Sequence, residues 1–441
     1  MLKESMYNHY LPEKGYTLVY NHLTNSIGRI MNQVELAKIQ QTLEQGQIPD
    51  SPLFACLVRD GFFVDDTREE EYAAEVRYTS RRYHSGLDAT ILASEQCNFR
   101  CVYCYEEFKR GNISEAVINA FIRYIRKNLR NYTSVSLGWF GGEPLLAAKE
   151  IERISTTVMD ICARARKPFT ASMTSNGYLL DVPMMERMLR CKVSHYQITL
   201  DGLAESHNKT RVLANGGSSF ERIITNLRAI HDQVKSQFFQ IAIRMNVTKS
   251  QIPLMQEYAV FMAAEFGQDP RFSFLFRPAG DWGGERVHSV KDELVSSLDA
   301  VYDTLLQSGT KLNYDINLDL MGNSTCYAAD RNSFILGSDG TIYKCTVRFD
   351  QEYNRLGHIS ENGDLLIDYT KLDRWLVQPA RKTEGCAVCA VWALCRNRTC
   401  PAKTFDVEGH DVKHCGYERE SLDPLIRLMD RSNSDYITVY E

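Results

Sequence analysis

Three cysteines, Cys97, Cys101 and Cys104, lie within eight residues at a Cys-x3-Cys-x2-Cys spacing. A short loop with this spacing can direct three thiolates towards one point. A [4Fe–4S] cluster normally takes four thiolates, so three leave one iron open to an external ligand. The alternatives are a zinc site and a chance grouping. The strand-like run Ala89–Ala93 precedes the cysteines and favours the cluster, because α/β folds build their sites at the carboxyl ends of strands.

The same stretch resembles the Cys-x3-Cys-x-aromatic-Cys loop of the radical S-adenosylmethionine (SAM) enzymes, with Tyr103 in the aromatic position. In that family the open iron binds the amino and carboxylate groups of SAM. One electron from the cluster splits SAM into methionine and a 5′-deoxyadenosyl radical, which removes a hydrogen atom from the substrate. The resemblance therefore implies SAM and a [4Fe–4S] cluster as cofactors.

A second motif follows the next strand-like run. Gly141, Gly142, Glu143 and Pro144 resemble the Gly-Gly-Glu-Pro motif of the family, which holds the SAM ammonium group with backbone carbonyls and the glutamate. An ammonium group needs hydrogen-bond acceptors, which carbonyls and a carboxylate supply. The alternative is an ordinary turn between a strand and a helix.

Polar residues at two later strand ends complete the expected SAM site. Thr199 and Arg211 lie in a segment that resembles the family's Ser-Leu-Asp-Gly and His-Asp-x-x-Arg sequences, although Thr199 replaces the serine and Asn208 the aspartate. Arg211 is the candidate for the SAM carboxylate, and Ser175 and Asn176 are candidates for the ribose. For each of these residues, a hydrogen bond that only stabilises a loop is the competing interpretation.

Strand-like and helix-like segments alternate from Leu87 onward, which predicts an α/β fold with parallel strands and right-handed crossovers. The predicted strands are Ala89–Ala93, Ser134–Phe140, Thr170–Thr174, Tyr196–Leu200, Gln240–Val247 and Phe272–Phe276. The predicted helices are Ile113–Leu129, 148–165, 182–190, 219–235, 251–265 and 288–307. Six units are too few for a closed eight-stranded barrel and predict an open partial (β/α)6 barrel, which is also the family's core fold. Arg244 and Arg277 lie on or just after the last two strands, and the pattern leaves open whether they face a pocket or point outward.

Three consecutive domains are expected. Residues 1–86 form a small α+β unit that resembles the winged-helix-like peptide-recognition elements of peptide-modifying radical enzymes, although a structural cap is an equal alternative. Its predicted elements are strands at Tyr16–Tyr20 and Ser26–Ile30, a helix at 33–45, an extended piece at Leu57–Val64 and a helix at Asp65–Val76. Residues 87–308 form the barrel, and residues 309–441 form a bridging region and a cluster domain.

Seven cysteines follow the barrel: Cys326, Cys345, Cys386, Cys389, Cys395, Cys400 and Cys415. Their spacing resembles the SPASM domain of radical SAM enzymes that act on peptides, apart from one gap of four residues instead of three before Cys400. Cys345 ends a hairpin that Ser338-Asp339-Gly340 predicts. The competing interpretation is a zinc ribbon.

Two auxiliary clusters follow from that resemblance, which gives three [4Fe–4S] clusters in total. The distal cluster would be held by Cys386, Cys389, Cys395 and Cys415. The proximal one would be held by Cys326, Cys345 and Cys400, with an iron left open for a substrate thiolate, water or Asp330.

Composition excludes several function classes. The net charge is −5 and no long basic run is present, so we expect no nucleic-acid partner. No apolar run approaches the roughly 20 residues that span a bilayer, so we expect no membrane. Thirteen cysteines without an export signal favour metal ligands over disulfides. The exposed clusters that the resemblance implies are oxygen-sensitive and indicate a cytoplasmic enzyme. Such an enzyme needs an electron donor such as flavodoxin or ferredoxin.

Three reactions fit the resemblance. The first is thioether formation in a ribosomally synthesised precursor peptide with a leader, as in sactipeptide and ranthipeptide maturases. The second is formylglycine formation by a sulfatase-maturing enzyme. Members of that group usually carry aspartate directly after the hairpin cysteine, where this chain has Thr346. The third is carbon–carbon or carbon–oxygen cross-linking of a peptide. A zinc-bound scaffold without activity is the non-enzymatic alternative.

Overall fold

The computed structural model describes residues 2–67, 69–82, 85–281, 286–295, 297–310, 312, 326–376, 389–392, 401–402, 422–432 and 437–440. The chain forms two compact units. The first comprises Met1–Tyr83, Ile316–Cys326 and Pro379–Glu441, and the second comprises His84–Asp315 and Tyr327–Gln378. None of the helices in the described ranges is both long enough and apolar enough to cross a membrane.

The strands are β1 (Leu2–Glu4), β2 (Asn8–Glu13), β3 (Tyr16–Asn21), β4 (Ile27–Ile30), β5 (Phe63–Asp65), β6 (Leu87–Ser94), β7 (Val135–Gly141), β8 (Phe169–Ser175), β9 (Val193–Thr199), β10 (Gln240–Val247), β11 (Phe272–Pro278), β12 (Ser333–Leu336), β13 (Thr341–Tyr343), β14 (Arg355–Ile359), β15 (Leu365–Ile367) and β16 (Thr438–Tyr440). The helices are α1 (Gln33–Glu44), α2 (Pro52–Arg59), α3 (Glu70–Arg82), α4 (Glu115–Asn128), α5 (Ala148–Arg164), α6 (Val182–Arg190), α7 (Ala204–Thr210), α8 (Phe220–Gln233), α9 (Met255–Phe266), α10 (Asp299–Ser308), α11 (Tyr369–Leu376) and α12 (Asp423–Ser432).

The second unit is built on six parallel strands, β6 to β11, which neighbour one another in chain order. This confirms the predicted α/β core of six strands. Helix α4 shows why the alternation holds: Ser114 caps its first turn, and Val117, Phe121 and Ile125 bury one face at helical spacing. The predicted helix 288–307 is wrong in its first half. Arg286–Glu293 is a 3₁₀ segment that contains the non-helical Val290, and the α-helix begins only at Asp299.

The predicted hairpin is confirmed and extends the same sheet. Strand β12 pairs antiparallel with β13, and Gly340 in the turn has φ +90°. On its other edge β12 pairs parallel with β6, and Ile335 lies opposite Thr90. The predicted division into three domains stays a prediction, but residues 333–367 share the sheet of the predicted barrel. A parallel pairing between distant segments leaves no local signal in the sequence.

The first unit contains a four-stranded sheet in the order β16-β4-β3-β2, with α1 and α2 packed on a core that includes Val19, Leu36 and Leu57. The extended piece predicted at Leu57–Val64 is wrong over its first half, which belongs to α2. The Ser51 side chain accepts a hydrogen bond from the Phe54 N–H, and Pro52 occupies the first helical turn. The winged-helix-like role of this unit stays a prediction.

Candidate active site

A cavity of about 450 Å³ lies in the second unit, where the carboxyl ends of the core strands meet. The sequence-predicted residues that line it are Cys97, Cys101, Tyr103, Cys104, Gly141, Gly142, Ser175, Asn176, Thr199 and Arg211. Arg211 follows α7, and the others come from the loop after β6 and from the ends of β7, β8 and β9 or the residues just after them. This convergence is what parallel strands in sequential order produce at one edge of a sheet.

The loop that carries the three cysteines is braced by backbone hydrogen bonds. The Arg100 N–H donates to the carbonyl of Val212 at 2.7 Å, and the Val102 N–H donates to that of Thr210 at 3.0 Å. The Phe99 N–H lies 3.3 Å from Sγ of Cys97. The loop is therefore held against the segment that contains Arg211.

Cys101 is buried, and Cys97 and Cys104 are half-buried at the cavity wall. Burial raises the pKa of Cys97 and of Cys104 to about 12, and it also raises the pKa of Cys101. Metal binding would therefore have to displace protons from neutral thiols. Three thiols at one cavity fit a cluster that leaves one iron for another ligand. Among the described residues, no three Cys, His, Asp or Glu side chains are grouped to bind one metal ion.

The two glycines are required by the cysteine loop itself. A Cβ on Gly142 would overlap the backbone of Gln96 and lie 3.1 Å from Cβ of Cys97. Gly141 has φ +113°, and a Cβ there would overlap the backbone carbonyl of Ser94. Only glycine lets β7 end so close to the loop after β6.

Glu143 does not line the cavity but lies buried behind its wall. Its carboxylate accepts hydrogen bonds from the Leu145 N–H at 3.0 Å, the Asn176 N–H at 2.8 Å and the Ser175 hydroxyl at 2.9 Å. Glu143 therefore orients the two polar residues at the end of β8. Its direct contact with SAM stays a prediction.

Tyr103 is the centre of a hydrogen-bond network that the sequence did not reveal. Its hydroxyl donates to the Asp201 carboxylate and accepts from Nη1 of Arg211 and Nδ2 of Asn246, each at 3.0 Å. Asp201 also accepts from the Asn246 N–H at 2.9 Å. Burial raises the pKa of Asp201, and the Arg211 cation opposes that shift. The available signal was a polar residue, Asn246, inside the apolar run of β10.

The cavity lining also includes residues that were not predicted as site residues, among them two arginines, a tyrosine and a glutamate. Arg244 and Arg277 face it, which answers the question that the sequence left open. Tyr105 and Glu106 follow the last cysteine of the loop. Burial, with a contribution from Glu95, raises the pKa of Glu106 to about 8.

The described C-terminal cysteines lie in different units. Cys345 is buried in the second unit, where the Asn354 side chain accepts a hydrogen bond from its N–H and donates one to its carbonyl, both at 2.8 Å. Cys326 and Cys389 are half-buried in the first unit, and Cys389 packs against a cluster that includes Trp392. Cys386, Cys395, Cys400 and Cys415 lie outside the described residues. The auxiliary ligand sets therefore stay predictions.

Ser338 in the hairpin turn also contacts the cysteine loop. Its N–H and hydroxyl donate to Oε1 of Glu95 at 3.0 and 2.7 Å. Arg110 forms an ion pair with the same carboxylate at 3.0 Å. The start of the cysteine loop and the hairpin that ends near Cys345 are thus joined by side chains as well as by the sheet.

Comparison with known proteins agrees with this geometry. Residues 91–252 match the sequence profile of the Radical SAM superfamily. The Fe-coproporphyrin III synthase of Methanosarcina barkeri (strain Fusaro / DSM 804) is 21% identical over 220 residues, which are 50% of this chain and 51% of that protein. This chain thus spans about half the length of that relative.

Two further comparisons cover more of the chain. The cysteine-type anaerobic sulfatase-maturating enzyme of Clostridium novyi (strain NT) is 22% identical over 332 residues, which are 69% of this chain and 85% of that enzyme. The solved structure of native anSMEcpe with bound AdoMet and Cp18Cys peptide has a TM-score of 0.58 at 18% identity, and covers 79% of this chain and 99% of that one. At this identity the structural likeness establishes the fold.

Proposed function

The chain contains a radical SAM domain, and on that premise we propose that it is a maturase that modifies a ribosomally synthesised peptide. The observation that carries the proposal is the convergence of Cys97, Cys101 and Cys104 on one cavity with the polar ends of the neighbouring strands. Bound together, SAM and the cluster would supply a radical that abstracts hydrogen. The protein's part is to position the substrate and exclude water.

The residues of the cavity divide into roles. The three cysteines would hold the cluster, and the carbonyls of Gly141 and Gly142 would accept from the SAM ammonium group. Arg211 would hold the SAM carboxylate, while Tyr103 fixes the guanidinium from the side of the cysteine loop. The ribose hydroxyls would meet further polar side chains of the cavity wall: Ser175, Asn176 and Thr199.

The product that we favour is a thioether between a cysteine sulfur and a carbon of another residue. Its formation removes a hydrogen atom from carbon and a proton from the thiol, joins sulfur to carbon and returns one electron. The proximal cluster proposed at Cys326, Cys345 and Cys400 would bind the thiolate and accept that electron. An external donor such as flavodoxin or ferredoxin would start the reaction.

Formylglycine formation is the second candidate, because a sulfatase-maturating enzyme is among the relatives. The environment of Thr346 disfavours it. This residue occupies the position after the hairpin cysteine where that group usually carries an aspartate base. Its hydroxyl lies 2.7 Å from the Tyr327 hydroxyl, and its N–H donates to the same oxygen at 2.9 Å. A threonine hydroxyl is too weakly basic at neutral pH to take that role.

Anaerobic reconstitution with iron and sulfide, followed by SAM and a strong reductant, tests the enzyme class. We expect 5′-deoxyadenosine from the wild-type chain and none from Cys97→Ala. Near-zero iron, or no 5′-deoxyadenosine, would contradict the proposal. A cysteine-containing peptide encoded beside the gene then tests the product. A peptide mass lower by two hydrogens, with no cysteine left that can be alkylated, supports a thioether. A peptide that keeps all its free thiols excludes it.

A further inference from the structure

Two arginines in the cavity have no role in the proposed SAM site. Arg244 on β10 and Arg277 on β11 both line it. Asn246 and Arg277 are direct partners across the parallel ladder, and Arg244 lies two residues before Asn246. Since side chains alternate along a strand, all three lie on one face of the sheet. Two guanidinium groups therefore point into the same part of the cavity.

Arg244 uses little of its hydrogen-bonding capacity within the protein. Its Nε donates to Oδ1 of Asn246 at 3.0 Å. Within the described ranges, its two terminal nitrogens make no hydrogen bond and no ion pair. A guanidinium group has five N–H donors in a planar fork, so most of this fork is left for a ligand.

Cations outnumber carboxylates among the described residues that line the cavity. Its described lining contains three arginines but only one carboxylate, Glu106. Arg211 is already bonded to Tyr103, whose hydroxyl also contacts Asp201. Burial lowers the pKa of Arg244, and the nearby Arg277 cation lowers it further. Two neighbouring guanidinium cations disfavour each other's charge, and an anionic ligand bound beside them would offset that repulsion.

We infer that Arg244 and Arg277 form a subsite that binds a carboxylate of the peptide substrate, from an aspartate, a glutamate or the chain terminus. A planar carboxylate matches the arginine fork and accepts two parallel hydrogen bonds. The identification of the ligand as part of a peptide rests on the proposed function. The capacity of the two arginines to bind a carboxylate does not depend on it. The other source of a carboxylate is SAM itself, for which Arg211 is the predicted partner.

Succinate, a small dicarboxylate, is the probe, titrated calorimetrically into the reconstituted full-length protein with SAM present. We expect Arg244→Gln and Arg277→Gln to weaken succinate binding at least about tenfold, the loss typical of a charge-assisted hydrogen bond. Arg244→Lys keeps the charge but not the planar fork, so its succinate affinity should lie between those of the wild type and Arg244→Gln. Arg228→Gln is the control, because it removes an exposed arginine that pairs with Glu265 on the outer helices. Its succinate affinity should equal that of the wild type. Succinamide should not bind.

Two results of the succinate titration would overturn the inference: wild-type protein that does not bind succinate, and Arg244→Gln protein that binds it as tightly as wild type. A second titration, with SAM, separates the two sources. We expect the SAM affinity of Arg244→Gln to stay within about threefold of wild type. A loss of about tenfold or more would assign the arginines to SAM and refute the peptide subsite. A protein that makes no 5′-deoxyadenosine would refute the proposed function but leave the succinate result readable.

Discussion

The Tyr103 hydroxyl lies 3.0 Å from Nη1 of Arg211 and accepts its hydrogen bond. One residue belongs to the cysteine loop after β6, and the other follows α7, beyond the fourth core strand. The Arg211 guanidinium also lies over the Phe99 ring, 5.4 Å from its centroid. The loop that would carry the cluster and the arginine that would hold the SAM carboxylate are therefore positioned together.

Replacing Tyr103 with phenylalanine should disrupt that coupling. The change deprives Arg211 and Asn246 of an acceptor and Asp201 of a donor, and unpaired buried polar groups cost about 1–3 kcal/mol each. We expect a lower Tm and a weaker affinity for SAM, measured by thermal unfolding and equilibrium dialysis of reconstituted protein. Tyr369→Phe, at a residue that is 68% exposed, is the control. Equal SAM affinity in the two variants would contradict the coupling.

Gly142→Ala should disturb the cysteine loop directly. The added methyl group would overlap the backbone of Gln96, which cannot rotate away as a side chain could. Overpacking of this kind typically costs about 1–3 kcal/mol. We expect less iron bound per chain and a lower Tm. Gly111→Ala is the matched control because a Cβ there meets nothing within 4 Å, and it should behave like the wild type. Normal iron binding by Gly142→Ala would show that the loop adapts.

Cys97→Ala and Cys400→Ala should separate the proposed clusters. The first removes a ligand of the SAM-binding cluster and should abolish SAM cleavage. The second removes a ligand of the proposed proximal cluster and should spare cleavage but lose product. With three clusters, each variant should lose up to about four of roughly twelve irons per chain, measured by iron and sulfide analysis. Normal product from Cys400→Ala would refute the proximal assignment.

His207 should make the protein less stable in mild acid. The buried ring accepts a hydrogen bond from the Asp201 N–H at Nδ1, and its Nε2 lies 3.1 Å from the Ser219 hydroxyl, which itself donates to the Arg211 carbonyl. This arrangement requires the neutral ring protonated at Nε2. Burial, helped by the Arg211 cation, holds the pKa of His207 well below 6.5.

In mild acid the unfolded chain therefore binds a proton at His207 that the folded chain does not bind. The free energy of unfolding decreases as the pH drops through about 6.5. The slope is at most about 1.4 kcal/mol per pH unit from this group. His207→Asn keeps an acceptor for the Asp201 N–H but does not titrate, so its Tm should fall less between about pH 7.5 and 5.5. Identical slopes for both proteins would exclude His207 as the source.

Much of the site could be predicted because its residues follow apolar strands. Cys97, Gly141, Ser175 and Thr199 each lie at or after the end of such a strand, and parallel strands bring their carboxyl ends together. The role of Glu143 could not be predicted in the same way. Its carboxylate accepts hydrogen bonds from Ser175 and Asn176 at the end of β8 and from Leu145 in its own turn. Only the packed structure shows these three contacts.

Other features needed contacts between distant segments. Asp201 was visible in the sequence only as part of a motif, and its partners Tyr103 and Asn246 come from two other elements. Helix α2 was partly mistaken for an extended piece because a short apolar run has no clear period. The Ser51-Pro52 pair was the signal that marked its first turn.

The pairing of β12 with β6 would bear on electron transfer if Cys345 holds the proposed proximal cluster. The Cys97 loop leaves one strand of this ladder, and Cys345 follows the hairpin on its other side, with Ser338 and Glu95 as an extra brace. Both segments are thus anchored to one sheet, so their relative placement follows from how that sheet assembles. A tunnelling distance set by such a scaffold would be insensitive to hinge motions.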